Sequence, residues 1–158
     1  MNAERVTKHL RRANEVARRA ASMGRHPFGA LLVAPDDDTV LAEQGNIDAV
    51  NHAESTLARM AADNWPGEYL ARCTLVTTFE PCAMCTGTIY WANIGRVVYG
   101  ASEEALLALT GSHEENPTLS LPCREVLARG QKLVEVIGPV ASLEAEMLEP
   151  HLGFWSSR

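Results

Sequence analysis

The chain has 158 residues, 46% of them hydrophobic and 22% charged, values typical of one globular domain, which we assign to residues 1–158. Its apolar runs are too short for a membrane span, and basic residues interrupt those near the N-terminus, so we expect a cytoplasmic protein without a signal peptide. The net charge of −6 argues against a nucleic-acid partner, because proteins that track phosphates usually carry a basic excess.

Helical and strand patterns alternate along the chain. Apolar residues at helical spacing predict a first helix over Ala3–Met23, with basic residues on a face that we expect to be solvated: Arg11, Arg12, Arg18 and Arg19. Short apolar runs predict five strands, over Phe28–Ala34, Thr39–Glu43, Cys73–Phe79, Gly95–Gly100 and Lys132–Ile137. Further helices are predicted over His52–Asn64, Pro81–Asn93, Glu103–Leu109, Cys123–Arg129 and Val140–Trp155.

This order of elements predicts an α/β fold. The first two strands form a hairpin across the turn cluster Pro35–Asp38, and the later strands alternate with helices. Such alternation indicates a three-layer α-β-α sandwich with a five-stranded mixed sheet. A helix between the fourth and fifth strands makes those two parallel. Residues Gly111–Pro122 lack periodicity and are interpreted as a functional loop or lid.

Two short segments carry metal-binding chemistry. His52-Ala-Glu54 opens one predicted helix, and Pro81-Cys82-Ala-Met-Cys85 opens another. One imidazole and two thiolates suit Zn²⁺, and three protein ligands leave its fourth tetrahedral position open for water. Cys82 and Cys85 share a face at a helix start, where the dipole favours thiolates. We therefore predict one zinc ion per chain on His52, Cys82 and Cys85, with Glu54 as the catalytic proton carrier.

The combination H-x-E and P-C-x-x-C is the pattern of zinc nucleobase deaminases. Its extension over Glu80–Gly87 closely resembles the cytidine and deoxycytidylate deaminase superfamily. The resemblance is strongest to the branch of guanine deaminases, cytosine deaminases and tRNA adenosine deaminases, and it runs from about Pro27 to Tyr99. It implies a cytidine deaminase-like fold, a homodimer and a hydrolase that releases ammonia from an aminated heterocycle.

The resemblance also implies residues that bind the substrate. Asn46 matches an asparagine that hydrogen-bonds the base or ribose, although Gly45-Asn46 would also suit a turn. Phe28 matches an aromatic residue that stacks on the ring, with core packing as the alternative. His113, beside Glu114 and Glu115, could reach the substrate from the irregular loop or be solvated. The other predicted substrate-binding residues are Ala53, Pro81, Trp91, Phe154 and Trp155.

Three of these residues have a second interpretation. Trp91 lies in Tyr90-Trp91-Ala92, similar to a run in bacterial guanine deaminases, and packing at a dimer interface is its favoured role. Phe154 and Trp155 could close the C-terminal helix 140–155 over the active site, as the C-terminal segment does in some guanine deaminases. They could equally anchor that helix.

Three functions remain open from the sequence. The first is a deaminase of a free nucleobase or small nucleoside, guanine-type first and cytosine-type or a related heterocycle next, which the acidic charge favours. The second is a tRNA adenosine deaminase, whose usual Asp-Pro-Thr-Ala is replaced here by Asp48-Ala-Val-Asn51. The third is a structural zinc module. It would need a fourth ligand, for which the candidates are His26, Cys73, Cys123 and His151.

Overall fold

A five-stranded mixed sheet forms the middle layer of the computed structural model, which describes residues 1–111 and 113–157. In chain order its strands are β1 (Gly29–Val33), β2 (Val40–Gly45), β3 (Thr74–Phe79), β4 (Arg96–Ala101) and β5 (Glu135–Ile137). They are arranged β2-β1-β3-β4-β5. Strand β1 is antiparallel to β2 and β3, whereas β3, β4 and β5 run parallel to one another. The predicted sheet, with parallel fourth and fifth strands, is confirmed.

Helices cover both faces of this sheet. They are α1 (Ala3–Ser22), α2 (Ala53–Asn64), α3 (Gly67–Leu70), α4 (Ala83–Trp91), α5 (Glu103–Thr110), α6 (Cys123–Leu127) and α7 (Glu144–Leu148). Neighbouring residues of a strand point to opposite faces. Leu31 therefore packs with Leu10 of α1 and Met147 of α7, whereas Leu32 packs with Leu57 of α2. These two apolar clusters give the three predicted layers. No helix in the described part of the chain is long and apolar enough to cross a membrane.

The segment predicted as one C-terminal helix is broken, and that prediction is wrong. After α7 the chain makes short 3₁₀ turns over Glu149–His151 and Trp155–Ser157. Pro150 has no amide hydrogen to continue the helix, and Gly153 has a φ of 74°, which reverses the chain. The apolar spacing of the segment reflects burial of successive turns against the rest of the protein.

The helix predicted to begin at Pro81 begins two residues later. Cys82 is its N-cap, with an extended backbone at φ −63° and ψ 171°, and the first helical residue is Ala83. His52 is likewise the N-cap of α2. Both motif segments therefore lie at helix starts, as predicted, with one ligand in the cap position of each helix.

Candidate active site

Three predicted ligands converge where α2 and α4 begin. His52 Nδ1 lies 3.7 Å from Cys82 Sγ and 3.6 Å from Cys85 Sγ. Zn–N and Zn–S bonds of roughly 2.1 and 2.3 Å at a tetrahedral angle would separate nitrogen and sulfur by about 3.6 Å. The observed separations therefore fit a tetrahedral zinc ion. All three ligand atoms lie within 4.8 Å of one another.

The backbone fixes the orientation of the His52 ring. Its Nε2 lies 3.1 Å from the carbonyl oxygen of Ala49. In the neutral ring Nε2–H donates to this oxygen, so the lone pair belongs to Nδ1 and faces the two sulfur atoms. A carbonyl partner of this kind is the usual outer support of a metal-binding histidine.

The protons of the cluster are distributed unequally. A hydrogen bond with Cys82 raises the pKa of His52 to about 9. A hydrogen bond from Cys85 lowers the pKa of Cys82 to about 4, and the same bond, together with burial, raises the pKa of Cys85. The protons of this cluster therefore favour His52 and Cys85 over Cys82. A metal ion would displace the protons on His52 and Cys85.

Glu54 lies beside this cluster and is buried. Its Oε1 accepts a hydrogen bond of 2.7 Å from Thr77 Oγ1, and its Oε2 accepts one of 3.6 Å from Cys85 Sγ. Burial raises the pKa of Glu54, which the Thr77 hydrogen bond partly opposes. A carboxyl group whose pKa is raised toward neutrality can both take up and release a proton, as a general acid and base must.

A cavity of about 170 Å³ opens over these groups. Its lining comprises His26, Phe28, Asn46, Ala49, His52, Glu54, Cys82, Glu103, Glu115, Asn116 and Pro117. Asn46 is 2% exposed, and its Nδ2 donates a 3.1 Å hydrogen bond to the carbonyl oxygen of Asp48. That bond fixes the amide orientation, and Oδ1 has no hydrogen-bond partner in the described part of the chain. Asn46 therefore offers a buried acceptor.

Phe28 forms an aromatic wall of the same cavity. Its ring packs edge-on against Phe79 at a centroid distance of 5.6 Å and against His151 at 5.0 Å. The two interpretations made from the sequence therefore coexist in one residue. The ring packs against the core and also lines the site.

Five cavity residues were missed as substrate-contacting candidates, and two of them, His26 and Glu103, can carry charge; the others are Ala49, Asn116 and Pro117. His26 precedes β1, and its Nε2 lies 3.2 Å from Glu115 Oε2, which joins it to the irregular loop. Glu103 follows the carboxyl end of β4. Burial, followed by the charges of Glu54 and Cys82, raises the pKa of Glu103 to about 8. Its place after a parallel strand, where binding sites of α/β sheets commonly lie, was the signal available in the sequence.

Of the eight predicted substrate-binding residues, only Phe28 and Asn46 are among the described residues that line the cavity. Ala53 and Pro81 are buried behind it, and Pro81 accepts a 3.0 Å hydrogen bond from Thr86 Oγ1 through its carbonyl oxygen. Trp91 ends α4 away from the cavity and is 81% exposed. Ala53 and Pro81 belong to the backbone segments that carry His52 and Cys82, whereas Trp91 presents a large apolar surface to solvent.

His113, Phe154 and Trp155 form a second layer behind the cavity wall. The Trp155 ring lies 4.7 Å from the His26 ring, and Phe154 packs edge-on against His26 at 6.2 Å. His113 Nε2 donates a 3.1 Å hydrogen bond to the carbonyl oxygen of Trp155. The C-terminal turns therefore brace His26 and connect it to the irregular loop.

A closed structural zinc site finds no support in the described residues. Their possible metal cluster contains His52, Cys82 and Cys85 alone, and none of the four candidates for a fourth ligand belongs to it. Those candidates were His26, Cys73, Cys123 and His151. A site with three protein ligands and an adjacent acidic cavity is the arrangement of a catalytic centre.

Comparison with known proteins identifies the family of the chain. Residues 3–101 match the family model of the cytidine and deoxycytidylate deaminase zinc-binding region. A probable cytosine deaminase of Schizosaccharomyces pombe is 36% identical over 96% of this chain and 93% of its own length. The guanine deaminase of Bacillus subtilis is 42% identical over 48% of this chain and 50% of its own. A structure from studies of A-to-I editing by tRNA:A34 deaminases is 28% identical with a TM-score of 0.65, covering 91% and 99% of the two chains. The chain belongs to the cytidine and deoxycytidylate deaminase family and is a hydrolase of carbon–nitrogen bonds.

Proposed function

We propose that this protein is a zinc-dependent hydrolytic deaminase of a free nucleobase or small nucleoside. One observation carries this proposal: Glu54, Asn46 and Phe28 line a single small cavity together with two of the three metal-ligand candidates, His52 and Cys82. The cavity thus combines a metal site, a proton carrier, a buried acceptor and an aromatic wall. Together these groups suit one flat, amino-bearing ring.

The chain's own residues would orient the substrate and move its protons. Phe28 packs against the substrate ring, and Asn46 Oδ1 accepts a hydrogen bond from one of the substrate's N–H groups. Glu54 takes a proton from the attacking water, gives it to a ring nitrogen, and then delivers a proton to the departing amine. The C–N bond breaks as a carbonyl replaces the amino group, and ammonia leaves. When bound, zinc acts as a Lewis acid that makes water nucleophilic near neutral pH.

Cytosine-type and guanine-type bases are the two leading substrates. The sequence favoured guanine first. The relative that matches along nearly the whole chain is a probable cytosine deaminase, whereas the guanine deaminase matches over about half of it. We therefore place the cytosine-type base first.

The charges of the surface disfavour a tRNA substrate. Three carboxylates, those of Asp48, Glu114 and Glu115, line the outer opening beside the cavity against one arginine, Arg25. The predicted basic patch on α1 is largely neutralised by ion pairs, which are Arg11–Glu146, Arg12–Glu43, Arg12–Glu15 and Arg18–Glu149. A phosphate backbone would have to displace these glutamates to reach the arginines, and it would meet carboxylates at the entrance.

We also propose a cytoplasmic homodimer that buries Trp91. A tryptophan that is 81% exposed at a helix end is a common anchor of protein interfaces. Sedimentation equilibrium of the wild type and of Trp91→Ala tests this. We expect a dimer that weakens in the variant, and a wild-type monomer would contradict the proposal.

Ammonia release from a panel of substrates tests the proposed function. The panel contains cytosine, guanine, isocytosine, adenine, their nucleosides and a tRNA anticodon stem-loop. Glu54→Ala serves as the control. It should retain zinc, and its kcat should fall by about 10²–10⁴-fold, as expected for removal of a general acid and base. Activity confined to the stem-loop would favour a tRNA deaminase. Near-normal activity of Glu54→Ala would contradict the mechanism.

A further inference from the structure

Glu103 occupies a defined place in the cavity. Strands β3 and β4 are parallel neighbours, so the segments that follow them emerge at the same edge of the sheet. The segment after β3 leads to Cys82, and the segment after β4 leads to Glu103, the first residue of α5. Ser102 caps this helix by accepting a 3.1 Å hydrogen bond from the amide of Ala105. The cap fixes the point from which the Glu103 side chain reaches the cavity.

The Glu103 carboxyl group has unused hydrogen-bonding capacity. It is half-buried and forms no hydrogen bond or ion pair with another described residue. The neighbouring acids differ, because Glu54 accepts a hydrogen bond from Thr77 and Glu80 accepts one from the amide of Cys123. A carboxyl group withdrawn from water without a partner costs free energy, and a ligand bound in the cavity can supply that partner.

We propose that Glu103 is a specificity-determining residue that contacts the substrate directly, accepting a hydrogen bond from a ring N–H of an unglycosylated base. This rests on the proposed function. A carboxyl group in either protonation state has an oxygen that can accept such a bond. Asn46 lines the same cavity, and its Oδ1 also has no hydrogen-bond partner among the described residues. The cavity thus favours a ring that keeps its N–H donors, and a nucleoside has lost one of them to its sugar.

The experiment combines variants with altered substrates. Glu103→Leu removes the acceptor, and Glu103→Gln keeps one acceptor oxygen. Glu104→Leu is the matched control, since Glu104 is an exposed acid in the same first turn of α5 and lies outside the metal cavity. Each protein is assayed on the best base of the panel and on that base methylated at each ring N–H in turn. Zinc content and thermal unfolding are measured for all variants.

We expect Glu103→Leu to lower kcat/KM for the unmodified base by about 10–100-fold, as for a substrate N–H group that is left without a partner in a buried site. Glu103→Gln should recover part of this loss, and Glu104→Leu should resemble the wild type. For the base methylated at the N–H that Glu103 contacts, the wild type already lacks this hydrogen bond. The kcat/KM for that base should therefore fall little further in Glu103→Leu. If Glu103→Leu lowered kcat/KM equally for every substrate, or did not lower it for any, this role of Glu103 would be overturned. A zinc-loaded wild type inactive on all bases would instead contradict the proposed function.

Discussion

Thr77 and Glu54 form a hydrogen bond of 2.7 Å between the central strand β3 and the start of α2, with both side chains buried. The hydroxyl group donates to the carboxylate and so favours its ionised form, which opposes the effect of burial on the pKa of Glu54. Thr77 has no other evident chemical role in the cavity. It positions Glu54 and adjusts its proton affinity.

Thr77→Val is expected to impair the proton carrier without removing it. The pKa of Glu54 should rise because the opposing hydrogen bond is lost, so the acidic limb of the kcat/KM profile should move to higher pH. We expect kcat to fall by about tenfold or more, since a buried polar group left unpaired costs about 1–3 kcal/mol. Thr77→Ser keeps the hydroxyl group and is the control. Identical pH profiles for the two variants would contradict this role.

The sequence could predict that Glu54 lies with His52, Cys82 and Cys85, because these residues fall in two short motifs at helix starts. His52 and Cys82 cap helices, and Cys85 follows within one turn, so spacing along the chain determines the geometry within each motif, whereas the packing of α2 against α4 brings the two motifs together. His26 and Glu103 reach the cavity only through tertiary structure. His26 depends on the C-terminal turns behind it, and Glu103 depends on the pairing of β3 with β4.

The broken C-terminal helix shows why apolar spacing alone misled the prediction. Met147, His151 and Trp155 recur at intervals of four and are all buried, as one continuous helix would require. Pro150 and the left-handed backbone of Gly153 interrupt that helix, and each turn packs separately. Periodicity reports which side chains are buried, whereas proline and glycine decide whether the backbone between them can remain helical.

His151 should make stability depend on acidity. Burial lowers the pKa of His151 from 6.5 to about 4. Between these values the unfolded chain binds more protons than the folded one, so stability falls as the pH drops below 6.5. We expect this residue to account for roughly 2 kcal/mol of the stability lost between pH 7.5 and 5. His151→Gln keeps an acceptor for Trp155 Nε1 and lacks the titration.

Urea unfolding at both pH values measures this effect. The free energy of unfolding of His151→Gln should change less between pH 7.5 and 5 than that of the wild type. Carboxylates and the metal ligands titrate in both proteins, so their contributions cancel in the comparison. The same pH dependence in the two proteins would show that His151 is not the group responsible.

Trp155→Ala should affect substrate binding more than turnover. Trp155 is 6% exposed and packs against His26, but it does not line the cavity itself. Loss of the Trp155 ring should make the position of His26 in the cavity wall less fixed and raise KM by roughly tenfold. This is less than the roughly 10²-fold loss of activity that a 1 Å misplacement can cause. Leu152→Ala is the control, because Leu152 lies in the same segment and is 64% exposed. Equal KM values for the two variants would argue against closure by the C-terminal turns.

Gly29→Ala should disturb the contact between α1 and the sheet. A Cβ atom at Gly29 would lie 2.3 Å from the carbonyl oxygen of Ala13 and 2.7 Å from the amide nitrogen of Ala17. Backbone atoms cannot rotate away, so α1 would have to move. We expect a loss of about 1–3 kcal/mol in the free energy of unfolding, as for other overpacked sites. Because Phe28 adjoins Gly29, a higher KM should accompany this loss.

Gly87→Ala is the matched control for this substitution. A Cβ atom there would meet no atom within 4 Å, and Gly87 lies inside α4. Alanine is favoured over glycine in a helix by about 0.5–1 kcal/mol, so urea unfolding of this variant should show a small gain. If both variants lost stability equally, steric contact with α1 would not explain the requirement for glycine at position 29. A stable Gly29→Ala variant with unchanged KM would show that α1 can shift without moving Phe28.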